Sequence, residues 1–129
     1  MGHSGYSKDK TIAKNVPDVD VVVGGHSHSF LYTVTSDSPL PSIEEPEGPY
    51  PTYVMQSGTK KIVPVLQAYA YTKYLGYMNL TFDDTGNLIK FIGKPILLSS
   101  KMLQGILLVY FFSQCGFFKT FQIIVLLKR

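Results

Sequence analysis

The chain has only three histidines, and all of them stand in two glycine-bounded loops: His3 in "MGHSGY", and His26 and His28 in "DVDVVVGGHSHSFLY". Neutral imidazole is the commonest nitrogen ligand for zinc and other first-row metals. Neighbouring glycines let a backbone bend tightly and approach an ion or a phosphate. Histidines at i and i+2 around such a bend can address two ions, or opposite sides of one site. A two-metal hydrolytic centre also needs bridging carboxylates, and the nearby acids are poor candidates. Asp9 reads as a helix-start residue, while Asp18 and Asp20 stand at the beginning of the apolar run, away from the glycines. The single cysteine, Cys115, excludes both a Cys-x-x-Cys zinc site and an internal disulfide framework. By residue type alone, the chain carries part of a metal site and lacks the remainder.

Several elements must position these histidines. "SKDKTIAKN", residues 7–15, predicts a short helix, with Ser7 as N-cap, Asp9 in the first turn, Ile12 and Ala13 facing inward, and Asn15 with Pro17 ending it. "VDVVVGG" is a continuous β-branched run, the pattern of a strand buried on both faces. Its glycines mark a sharp exit at the carboxyl end, where ligands collect in open α/β sheets. Residues 36–51 hold five of the eight prolines and three glutamates, which predicts a surface loop. Strands follow at about 52–57, 62–70 and 74–83. "DDTGN" is a hairpin turn with Gly86 at positive φ, and "LIKFIGKPILL" returns as a strand interrupted at Gly93. Alternation in the hairpin puts Met78, Leu80 and Phe82 on one face, and Tyr77, Asn79 and Thr81 on the other. Lys60-Lys61 and Asp83-Asp84 read as solvated turn charges. The fold class is α/β.

The 129 residues are 45% hydrophobic and 16% charged, a globular composition. The net charge is +3, and the lysines form no basic stripe, so nucleic acid is excluded as a partner. No secretory signal opens the sequence. Residues 99–129 differ in kind. Residues 102–118 are largely apolar, and membrane association through 102–127 is one reading, although Lys119 and Gln122 break the run. The preferred reading is read-through of an intron, because Ser-Lys at the junction can be encoded by AGT-AAG, which contains a splice-donor-like GTAAG. Asn79-Leu80-Thr81 is a glycosylation sequon, making Asn79 a candidate acceptor in a secreted protein.

"GHSGYSKDKTIAKNVPDVDVVVGGHSHSFLY", followed by "YPTYVMQSGTKKIVPVLQAYAYTKYLGYMNLTFDDTGNLIKFIGKPILL", closely resembles the 5′-nucleotidase family of metallophosphoesterases, which includes ecto-5′-nucleotidases and salivary apyrases. The likeness covers residues 2–98. It implies a partial metallophosphoesterase (calcineurin-like) α/β/β/α sandwich over residues 1–98, the C-terminal half of that domain, with a non-family hydrophobic tail at 99–129. It further implies two divalent ions, zinc first, with manganese, magnesium or calcium as alternatives. By resemblance His3 and His26 would bind one ion, and His28 would contact the second. The family's Asp-x-His, Gly-Asp and Asn-His-Asp/Glu motifs do not occur in the sequence, so no residue here is assigned as catalytic; the catalytic histidine is expected upstream. Thr72 stands where the family pattern reads Tyr-Gly-Lys, which implies local turn strain. The implied activity is release of phosphate from AMP, ADP or ATP, at the cell surface or outside the cell, with the isolated chain expected to be inactive. The alternative is a non-catalytic truncated isoform, or a membrane-associated product of intron read-through.

Overall fold

In the computed structural model, residues 1–98, 113–114 and 119–125 are described. The elements are α1 (Tyr6–Asn15), β1 (Val22–Val23), β2 (Thr52–Met55), β3 (Ile62–Leu66), β4 (Tyr74–Phe82), β5 (Leu88–Leu97), β6 (Ser113–Gln114) and β7 (Lys119–Val125). They form two sheets. The first has the order β1-β3-β2, with β1 parallel to β3 (Val22 opposite Val65) and β2 antiparallel to it. The second, β5-β4-β7-β6, is antiparallel throughout.

The burial of β3 and β4 explains how the layers stack. Along β3, Val63, Pro64, Val65 and Leu66 are all buried, so this strand is covered on both faces. Along β4, burial alternates: Tyr74, Gly76, Met78 and Leu80 are buried, while the residues between them are half-exposed. Helix α1 packs against β1, β2 and β3 through its buried Tyr6, Asp9 and Ala13. A single apolar cluster joins Ala13, Val23, Val63, Val65 and Leu66 to Met78 and Leu80 of the second sheet. The order is therefore helix, sheet, sheet, a mixed α/β arrangement that agrees with the sequence expectation.

Local details depart from that expectation. The first strand shrinks to Val22–Val23, and the third ends at Leu66, four residues early, because Gln67 turns its side chain to a neighbouring loop. The helix begins at Tyr6, with Gly5 as N-cap and no side-chain cap from Ser7. Ile12 is 36% exposed, because only Tyr6, Asp9 and Ala13 lie on the buried stripe. Strand β5 runs unbroken through Gly93. A Cβ there would lie 2.8 Å from Met78 Cα and overlap Tyr77 O, so glycine permits the close approach of β4.

The 36–51 loop is mostly on the surface, yet it is anchored. Glu44 pairs with Lys73, Ser42 bonds Glu44 and the Tyr74 hydroxyl, and Tyr50 OH donates to Tyr77 O at 3.2 Å. Lys61 is also not simply solvated: its Nζ lies 2.7 Å from Asp20 Oδ1, joining the starts of two neighbouring chain segments. At the hairpin, Gly86 has φ of 89°, and Asp83 Oδ1 accepts from the Thr85 and Asn87 amides. Parts of the 99–129 stretch join the second sheet: β7 pairs with β4 from Gly76–Val125 to Phe82–Lys119. Residues 102–112, 115–118 and 126–127 of the membrane reading lie outside the described residues, and among the described residues no helix is long and apolar enough to cross a membrane.

Candidate metal centre

The parallel pair β1 and β3 ends at one edge of the first sheet, and the three histidines gather there. Beyond Val23, Gly24 N still donates to Leu66 O at 2.8 Å, carrying the pairing one residue past the strand. The chain then bends through Gly25, His26, Ser27 and His28. Gly24 and Gly25 are buried, whereas His26, Ser27 and His28 are exposed. Gly2 N donates to Val23 O at 2.9 Å, which lays the "GHSG" segment beside the end of β1. That single backbone bond brings His3 to His26 across 23 residues of sequence. Their ring centroids are 5.0 Å apart, with planes inclined by 73°. His28 points elsewhere, edge-on to Tyr71 at 5.2 Å.

The bend is conformationally costly. His26 has φ of 77° and His28 of 56°, both in the left-handed region that side chains disfavour. The facing segment after β3 is similar, with Tyr69, Tyr71 and Thr72 at φ of 58°, 57° and 55°. Thr72 thus carries the turn strain expected of it.

Three polar side chains brace the site, and the motifs did not reveal these roles. Asp9 is completely buried; its Oδ1 accepts from Ser4 Oγ at 2.6 Å, and its Oδ2 has no hydrogen-bond partner among the described residues. A Cβ on Gly24 would overlap Asp9 Oδ2, so the carboxyl packs directly on the bend's backbone. Asp9 is in the first helical turn as read, but as an interior strut rather than a solvated dipole partner. Ser27 Oγ accepts from Tyr6 N at 2.9 Å, supplying the helix-start acceptor that Ser7 was expected to give. Gln67 is 1% exposed and bonds Gly25, Ser27 and Ser29. The available signal was a lone glutamine inside the apolar run "IVPVLQAYA".

These donors fit part of a metal site. His3 and His26 offer two exposed imidazoles on a buried glycine base, and His28 offers a third facing another direction. Among the described residues, no group of three or more His, Cys, Asp or Glu side chains converges closely enough to hold one ion. Asp9 is turned to Gly24 and Ser4. Asn79 lies in the middle of β4, opposite Ile92 and Gln122, half-exposed and with Oδ1 buried and unpartnered among the described residues.

No family model matches the chain. Individual proteins do. The chain is 54% identical over 104 residues to a 5′-nucleotidase of Diplobatis ommata, matching 81% of this chain and 17% of that protein. It is 57% identical over 104 residues to a snake venom 5′-nucleotidase of Crotalus adamanteus, with the same shares covered. Human 5′-nucleotidase is 53% identical over 102 residues, 79% of this chain and 17% of that protein. The chain belongs to the 5′-nucleotidase family. The crystal structure of a 5′-nucleotidase precursor from Thermus thermophilus superposes with a TM-score of 0.68 at 36% identity, over 78% of this chain and 18% of that one. The chain therefore spans 17% of the length of these curated relatives and shares the fold of part of the Thermus protein.

Proposed function

We propose that residues 1–98 form one wall of a two-metal nucleotide phosphohydrolase site, with His3 and His26 holding one divalent ion and His28 contacting a second. The observation that carries this reading is the His3–His26 pair, assembled by the Gly2–Val23 bond at the carboxyl edge of β1. Zinc suits imidazole donors best; manganese, magnesium and calcium are the alternatives. An ion held there supplies charge to polarise a phosphoryl oxygen and to lower the pKa of bound water. The chain's own residues orient the two imidazoles, and the buried glycines leave the outer side open to a phosphate. The substrate is a nucleoside 5′-phosphate, with AMP favoured by the relatives' name and ADP or ATP as the apyrase alternative. The setting is the cell surface or extracellular space, in keeping with similarity to a venom protein. Asn79 is then the candidate glycan acceptor, tested by a mass shift on enzymatic deglycosylation.

Two or three imidazoles, with no carboxylate converging on them among the described residues, hold a metal weakly, so the chain alone binds zinc without turning over nucleotides. Calorimetric zinc titration and phosphate release from AMP, ADP and ATP test both halves. His26→Ala should abolish the zinc heat, and wild-type phosphate release should stay at background. Equal zinc binding by wild type and His26→Ala sinks the site, and robust turnover sinks the claim of inactivity.

A further inference from the structure

We propose that Gln67 is the positioning residue of the histidine bend, an inference that rests on the metal reading above. Its amide lies beneath the bend, almost wholly buried, one residue beyond β3. Oε1 accepts from Ser29 N at 2.6 Å and from Ser27 Oγ at 3.1 Å; Nε2 donates to Gly25 O at 3.2 Å. One side chain thus grips the bend before His26, between the two histidines and after His28. The amide's orientation follows from its partners, because a backbone N–H can only donate and a carbonyl can only accept.

The grip has a specific purpose. His26 and His28 both sit at positive φ, a conformation that side chains disfavour and that persists only where surroundings over-determine it. Gln67 supplies that determination from just past the end of β3, the strand parallel to β1, so the bend's geometry is tied to the sheet rather than to its own exposed backbone. Ser27 extends the tie: its hydroxyl lies 2.8 Å from Ser29 Oγ and accepts from Tyr6 N, which joins the bend to α1 and thence to the segment bearing His3. Partners of this kind, one shell behind the ligands, set ligand orientation, and their loss typically weakens metal binding by about 10–100-fold.

The test uses the whole 129-residue chain, zinc alone as the probe, and native-state hydrogen exchange at the Ser29 amide. Gln67→Leu keeps the bulk and removes all three bonds. It should weaken zinc binding by about 10-fold or more and deprotect the Ser29 amide beyond any change shared with core amides such as Val65. Val63→Ala, a core truncation away from the bend, should lower the melting temperature yet leave zinc affinity within about twofold, which separates positioning from stability. A folded Gln67→Leu chain with wild-type zinc affinity overturns the proposal, as does unchanged Ser29 protection. Should Gln67→Leu fail to fold, Gln67→Glu decides: it keeps the acceptor for Ser29 and loses the donor to Gly25 O, so Ser29 should stay protected while zinc weakens, and wild-type zinc affinity overturns the role. If the wild-type chain binds no zinc, the metal reading fails, and Ser29 exchange still reports whether Gln67 holds the bend.

Discussion

Gly24 shows how tightly single atoms constrain this site. It follows β1 directly, and its Cα faces the carboxyl of a buried aspartate. An added Cβ would lie 2.7 Å from Asp9 Cγ. Neither side can retreat easily: Asp9 is tied to Ser4, and Gly24 N is tied to Leu66 O. Gly24→Ala should therefore cost about 1–3 kcal/mol by overpacking, read as a lower urea midpoint with unchanged slope. Adding Asp9→Ala should return part of that loss, since the two residues are in contact and their effects do not add. Strict additivity in the double variant would show that the crowding lies elsewhere. Asp9 was legible as a helix-start residue. Its burial was not, because Gly24, the neighbour that encloses it, is 15 residues away in the chain.

At the scale of elements, the 36–51 loop illustrates how a charged segment can still be fixed. Lys73 beside Glu44, helped by Ser42, lowers the Glu44 carboxyl from 4.5 to about 2. A folded-state pKa below the ordinary one means that this contact stabilises the fold above pH 4.5 and that the benefit fades as pH falls toward about 2. Asp83, held down to about 2 by Thr85 and Asn87, acts in the same direction at the hairpin. Urea midpoints measured across pH should show Glu44→Gln less stable than wild type at about pH 6 and equal to it near pH 2. A gap that persists unchanged into acid would mean that the ion pair contributes nothing. Prolines and turn signals located this loop in the sequence, but the partners of Glu44, namely Lys73 and Tyr74, lie about thirty residues downstream and carry no local mark.

Across the whole molecule, the two sheets share one core, and the helix covers the outer side of the first. Strand β4 lies inside the second sheet, paired with β5 along one side and with β7 along the other. An uncovered strand edge is a template for association with another chain. A chain ending at Leu98 should therefore associate more than the full chain at equal concentration, as light scattering would detect; equal monomer content would show that β7 does not protect the edge. Taken alone, the sequence determined the family, the α/β class, the strands of the hairpin and the three histidines, because those rest on local periodicity and on motifs contiguous in the chain. Residue types and spacing did not determine which imidazoles meet; only the family resemblance implied that His3 and His26 share one ion. Only the tertiary structure decided how His3 meets His26 and that His28 turns to Tyr71, because the bond from Gly2 to Val23, the cradle from Gln67 and the strut from Asp9 join segments that the sequence keeps apart.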